Sequence, residues 1–286
     1  MSDYEVIERI DAFCDAVPRQ QARAEAIGQL VLFVPIGPGW PYYARPRVQG
    51  RVPEQGRVPE QGRVPVDGRD VRSVRARQRE LLIPESFEWL EQTAPTMAAA
   101  AEAAGLEVRR HPLLVLGELS PPPAIPPRAT VRIVAPDDPD LVLAWAVPGV
   151  AFRHPGTEIG EAGVTERDKL AADHDAGTIT MLRERLESRR STIAAAFGPN
   201  GPVAAGSYQI ADGVAEITGI GVLPASRRRG LGAAVTHALA ADARERGAQV
   251  VFLSATDSTV ARVYTRLGFR IIGTAMIGEP AATISL

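Results

Sequence analysis

The stretch GVLPASRRRGLGAAVTHALAADARERG (residues 221–247) decides how this chain folds. It leaves an apolar strand at Val222-Leu223-Pro224, turns through three arginines and a Gly-x-Gly, and opens an amphipathic helix. Leu231, Val235, Ala238 and Leu239 share one face of that helix, and Gly247 stops it. Such a turn is the physical recipe for an anion site. The first helical turn leaves backbone N–H groups without intrahelical partners, and the helix dipole adds partial positive charge there. Gly230 and Gly232 have no side chain to keep a phosphate at a distance. Arg227, Arg228 and Arg229 add charge that can grip phosphate in a bidentate manner. Two kinds of occupant fit this description: a nucleic-acid backbone, or one phosphate-bearing small molecule.

Bulk composition favours the second. The chain has 286 residues, 32 basic and 34 acidic, for a formal net charge of −2. A protein that coats nucleic acid carries a basic excess. Lys169 is the single lysine, so arginine is the habitual base of this chain and each one carries less meaning. Cys14 is the single cysteine, which excludes an internal disulfide and a cysteine-based metal site. MSDYEVIERI (1–10) has acids and no apolar core, unlike a signal peptide, and no window has the roughly 18 apolar residues of a membrane span. The composition reads as a soluble cytoplasmic protein without metal, nucleic-acid or membrane partners.

Outward from the opening stretch, the second half reads clearly. Strands are expected at 129–136, 192–198, 202–212, 214–224, 248–256 and 269–279, and helices at 139–152, in pieces through 161–191, at 230–247 and at 257–268. The first half reads less clearly. One or two helices are expected over 3–30, a buried strand at 30–35, an edge strand near the aromatics of 37–46, and helices at 70–83 and 95–104. Gly105 stops the last of these before a strand at 106–116. RVQGRVPEQGRVPEQGRVPVDGR (47–69) repeats Arg-Val-Pro-x-x-Gly and reads as an extended, flexible insert. SPPPAIPPR (120–128) is a polyproline-type connector. The division expected is therefore 1–120, a linker at 121–128, and 129–286.

Neither a G-x-G-x-x-G after the first strand of either half nor a P-loop G-x-x-x-x-G-K-[ST] occurs, which removes the main support for dinucleotide or NTP binding. VLPASRRRGLG, followed by VVFLSATDSTVARVYTRLGFR (250–270), resembles the GNAT superfamily of N-acetyltransferases over about 129–286. The family's Arg/Gln-x-x-Gly-x-Gly/Ala motif falls on Arg227, Gly230 and Gly232. Its later strand, tyrosine-bearing helix and Gly-Phe pair fall on Tyr264, Gly268 and Phe269.

The resemblance implies a mixed α/β fold: a mostly antiparallel sheet flanked by helices and splayed open between the strands at 214–224 and 248–256. It implies acetyl-CoA as co-substrate, with the pantetheine arm along the backbone of Ile220 to Val222. The pyrophosphate would sit on Arg227, Arg228, Arg229, Gly230, Leu231, Gly232 and Ala233. Tyr264 would protonate the leaving thiolate, and Glu216 would take the amine's proton. By period-two alternation Glu216, Thr218, Ile220 and Val222 are expected on one face. Asp257 stands where many relatives have a pantetheine-contacting Asn; Asp accepts but does not donate as Asn does, and it is also an ordinary helix cap. His174 and His237 read as structural.

The first half, helix–Gly–strand over APTMAAAAEAAGLEVRRHPLLVL (94–116), aligns Gly105 with Gly268 and Ala101 with Tyr264. It reads either as a smaller, degenerate GNAT-like domain without a phosphate turn or as an unrelated α/β domain. The function expected is acetyl transfer from acetyl-CoA to the amine of a small molecule or peptide. The alternative is an acyl-CoA-binding sensor or scaffold that has lost turnover. The acidic stretches GTEIGEAGVTERD (156–168) and ADHD (172–175) are compatible with a cationic acceptor or with plain solvated surface, and the oligomeric state is not encoded in any pattern of the sequence.

Overall fold

The structure is a computed structural model that describes residues 1–37, 43–48 and 65–281. The repeat insert of 47–69 and the aromatics Trp40 and Tyr42 fall largely outside the described residues. In chain order the elements are α1 (Asp3–Ala16), β1 (Ala22–Ile27), β2 (Leu30–Pro35), β3 (Ala44–Pro46), α2 (Gly68–Glu80), β4 (Phe87–Leu90), α3 (Met97–Ala103) and β5 (Glu107–Leu116). There follow β6 (Thr130–Val134), α4 (Leu141–Arg153), α5 (Val164–Ala172), α6 (Ala176–Glu187), β7 (Ser191–Gly198), β8 (Gly201–Ala211) and β9 (Val214–Val222). The last are α7 (Leu231–Glu245), β10 (Val250–Ser254), α8 (Ser258–Thr265) and β11 (Phe269–Glu279). No helix among the described residues is long and apolar enough to cross a membrane.

The chain divides into two compact units, and the division is not the linear one expected. Unit 1 takes Met1–Leu113, Ser254–Asp257 and Ile272–Leu286; unit 2 takes Leu114–Leu253 and Ser258–Ile271. The chain leading into the proline-rich segment, and its first residue, are held by hydrogen bonds. Within unit 2, Gly117 N–H donates to Gly268 O at 3.0 Å, Ser120 N–H donates to Leu267 O at 3.1 Å, and His237 Nε2 lies 3.1 Å from Ser120 O.

In unit 1, β1, β2 and β3 pair antiparallel in order; β3 pairs parallel with β4, and β4 pairs antiparallel with β11. Residues 22–27 are therefore a strand where a helix was expected. The two-residue turn Gly28-Gln29 folds β1 onto β2, with Gly28 at φ +56 and Gln29 N–H bonded to Asp70 Oδ2 at 3.1 Å. β3 is an interior strand, not an edge, and the four-residue β4 was not anticipated. Gly105 does end the helix before β5, at φ +80. The core joins Leu30, Leu32, Val71, Val74, Phe87, Trp89, Met97 and Met276. Beneath it Arg45 of β3 and Asp11 of α1, each 1% exposed, form a buried ion pair, and Thr93 Oγ1 donates to the same carboxylate.

In unit 2, β6, β7, β8 and β9 form an antiparallel run, and β10 joins β9 in parallel. That last pairing spans only Val250↔Val214 to Phe252↔Glu216. β9 continues to Val222 without β10, so the sheet is splayed beyond Glu216. Helices cover both faces. On one side Tyr208 of β8 donates to Asp242 of α7 at 2.5 Å. On the other, a Cβ on Gly221 would meet Pro148 and Ala151 of α4 at 2.7 and 3.0 Å. Val147 and Val150 of α4 pack there with Leu182 and Leu186 of α6 over Ala195 and Ala205, whose small side chains let the helices sit close to the sheet.

One detail of β9 overturns the expected alternation. The β8–β9 register shifts between Ala205↔Gly221 and Ser207↔Thr218, so Gly219 and Ile220 together oppose Gly206. This is a β-bulge, and Gly219 adopts φ +66 to make it. A bulge inverts the side-chain phase beyond it. Glu216 and Thr218 face α4 and α6, whereas Ile220 and Val222 face α7, where a Cβ on Gly232 would lie 3.8 and 3.2 Å from their methyls.

Candidate active site

β9 ends at a tight turn, Pro224–Ser226, and the arginine run follows. The three arginines have different fates. Arg227 is half-buried, and its guanidinium donates to four backbone carbonyls: Val222 (3.4 Å), Glu158 (3.2 Å), Ala151 (3.2 Å) and His154 (2.5 Å). It fastens the C-terminal end of α4 and the segment after it to the turn. Two backbone bonds extend the seam, Gly160 N–H to Pro224 O at 3.2 Å and Ala225 N–H to Ala162 O at 3.0 Å. Arg228 and Arg229 are exposed; Arg228 has φ +65 and reaches Glu158 Oε1 at 3.5 Å.

Gly230 is the N-cap of α7, with φ +74. A side chain there would also crowd Ala124 O, 2.9 Å from an ideal Cβ. Gly232 lets the first turn of α7 settle against β9. Leu231 is buried at 4%, so only its backbone faces the turn. Among the described residues no side chain caps α7, and the first-turn N–H groups of Leu231, Gly232 and Ala233 stand at the positive end of a helix of 15 residues. With Arg228 and Arg229 beside them, they can hold an oxyanion.

Glu216 is half-buried at the point where β9 and β10 part, paired with Gln209 on one side and Phe252 on the other. Tyr264 of α8 is buried, 8% exposed, with its ring edge-on to Phe269 at 6.2 Å. Burial disfavours the phenolate and pushes the Tyr264 hydroxyl up to about 12, so it keeps its proton at any physiological pH. Gly268, at φ +98, ends the α8 segment with no room for a side chain, because Glu118 O would lie 1.8 Å from its Cβ.

Unit 2 thus carries Glu216, Ile220, Val222, the 227–233 turn and Tyr264. Asp257 is exposed, directly precedes α8 and falls in unit 1. Sequence reading placed Thr218 on the face of Glu216 without giving it a role, and passed over Ser207 and Gln209 on that face and Arg185 of α6, whose Nη2 donates to Gln209 Oε1 at 2.9 Å. No local pattern marks these residues; strand register and helix packing bring them together.

Residues 164–269 match the model of the acetyltransferase (GNAT) family. Among solved structures, a GCN5-related N-acetyltransferase from Kribbella flavida has TM-score 0.68 and 23% identity, covering 98% of this chain and 97% of that one. A tandem GNAT protein from the clavulanic acid biosynthesis pathway has TM-score 0.52 and 16% identity, covering 87% and 77%. At such identities the likeness is one of fold, and it extends over both halves of the chain. No curated protein sequence matches.

Proposed function

From a chain whose residues 164–269 carry a GNAT acetyltransferase domain, we propose an acetyl-CoA-dependent N-acetyltransferase acting on the amine of a small molecule or peptide. The observation that carries this reading is one strand with two ends. At one end of the open part of β9 stands Glu216; at the other stands the glycine turn that caps α7.

In this reading the N–H groups of Leu231, Gly232 and Ala233 hold the pyrophosphate, with Arg228 and Arg229 adding charge from solvent. Arg227 holds the turn in shape instead of touching phosphate. The backbone edge of β9 that β10 leaves open, at Ile220 and Val222, takes the pantetheine amides. Glu216 accepts the proton of the amine as its nitrogen attacks the thioester carbon. The C–N bond forms, the C–S bond breaks, and Tyr264 gives its proton to the departing sulfur. A phenol is a weak acid toward water but a competent one toward a thiolate forming within hydrogen-bond reach.

The test is thiol release from acetyl-CoA over an amine panel. Wild type should release thiol with at least one amine, and Tyr264→Phe should bind coenzyme A yet turn over far more slowly. Tight acetyl-CoA binding with no turnover on any amine would reject catalysis in favour of a sensor.

A further inference from the structure

Next to Glu216 the sheet holds polar groups that acyl transfer itself does not require. Gln209 stands directly across from Glu216, and Ser207 directly across from Thr218. Opposed residues of an antiparallel pair share a face, here the face covered by α4 and α6. The Ser207 and Thr218 hydroxyls are 3.3 Å apart. Arg185, in the last turn of α6, donates Nη2 to Oε1 of Gln209 at 2.9 Å. All five residues are half-buried, so each is partly desolvated and still reachable from solvent.

Arg185 is a full charge held by a neutral amide. Among the described residues it forms no ion pair. The C-terminal end of α6 attracts a cation but does not explain a glutamine that orients the guanidinium towards the sheet. An amide oxygen fixes the plane of the fork and leaves its charge unspent; a carboxylate there would have neutralised it. The patch is therefore dipolar, negative at Glu216 and positive at Arg185, with two hydroxyls close by. Glu158, in the acidic stretch after α4, is 87% exposed and its carboxylate lies against Arg228.

We propose that the acceptor is an amine that also bears an oxyanion, with its nitrogen at Glu216 and its anionic group on Arg185, and that Gln209 aims Arg185 at that group. This rests on the acetyltransferase reading. A purely cationic acceptor would bring its second charge against Arg185 and be disfavoured.

The experiment compares a straight-chain series of amino acids of increasing length with the corresponding carboxamides, and with aminoalkylphosphonates to tell carboxylate from phosphonate. In wild type, kcat/KM for the best acid should exceed that of its carboxamide by about ten- to a hundredfold, the range of a charge-assisted hydrogen-bonded pair. In Arg185→Gln that ratio should fall to about one. Gln209→Glu should do the same, because an internal carboxylate then occupies the guanidinium. Thermal melting and coenzyme A binding establish that each variant is folded.

A wild-type ratio near or below one, or a ratio that survives Arg185→Gln, overturns the proposal. If coenzyme A binds but no amine is acetylated, the acetyltransferase reading fails separately. Calorimetric titration of the acids and carboxamides into coenzyme A-loaded protein then decides this one. Acid-selective binding abolished by Arg185→Gln supports it, and equal or absent binding overturns it.

Discussion

Two buried phenols in unit 2, Tyr264 and Tyr208, have hydroxyls of different employment. Tyr264 is held up at about 12 by burial alone, with no charged neighbour contributing. As a general acid it should contribute about a hundredfold or more to kcat. Tyr264→Phe is therefore expected to depress kcat by that factor and to move KM less. Because the proton is retained, the wild-type rate should not fall as pH passes about 10, where an ordinary tyrosine titrates. Tyr208 is likewise pushed up to about 12, first by burial and then by its bond to the Asp242 carboxylate. Its neutral form belongs to the fold, whereas the unfolded chain releases the proton near pH 10. Stability from this group is thus intact below about pH 10 and declines as pH climbs towards 12. Tyr208→Phe should lose about 1 kcal/mol at neutral pH, as for a typical buried hydrogen bond. Urea melts in the two regimes should show that deficit shrinking above pH 10; a deficit that widens would contradict the assignment.

At the scale of elements, the bulge at Gly219 and the clamp at Arg227 organise the site, and neither was legible. The strands and helices of 129–286 were readable because each apolar run is bounded by turn residues, and the Gly-x-Gly turn and the Tyr264 helix carry their own spacing. A bulge leaves no mark in a strand where glycine also fits for other reasons. The four acceptors of Arg227 lie at Val222 and, far earlier in the chain, at Ala151, His154 and Glu158. In the first half, ARAEAI has the alanine and glutamate of a helix and becomes β1 only because β2 pairs with it; FEWL is too short to announce β4. The clamp and the cap make separable predictions. Arg227→Ala strips charge-assisted bonds from both sides of a seam and should destabilise by about 2 kcal/mol, seen in thermal melts. Gly230→Ala forces a Cβ into φ +74 beside Ala124 O. It should cost about 1–2 kcal/mol of strain and weaken coenzyme A binding about tenfold or more. Arg228→Ala should weaken binding less than Gly230→Ala, since Arg228 is solvated; calorimetry ranks the two.

At the scale of the whole chain, the compact units do not respect the order of the sequence. β4 finds its antiparallel partner in Ala275–Gly278, and Met276, 1% exposed, sits in the core built by Val71, Trp89 and Met97. Residues 1–120 alone would leave β4 without that strand, and the core would keep a gap where Met276 belongs. Removing a buried methionine side chain costs about 2–5 kcal/mol, a large share of the stability of a small domain. The isolated fragment 1–120 is accordingly expected to lack a cooperative thermal transition. The same fragment with residues 272–281 appended through a flexible linker should regain one, because the missing strand and methionine return together. Met276→Ala in the appended segment should then take most of that gain away. Circular dichroism melts of the three fragments distinguish this arrangement from a first half that folds on its own: a cooperative melt from 1–120 alone would show that the returning strand adds little to its stability.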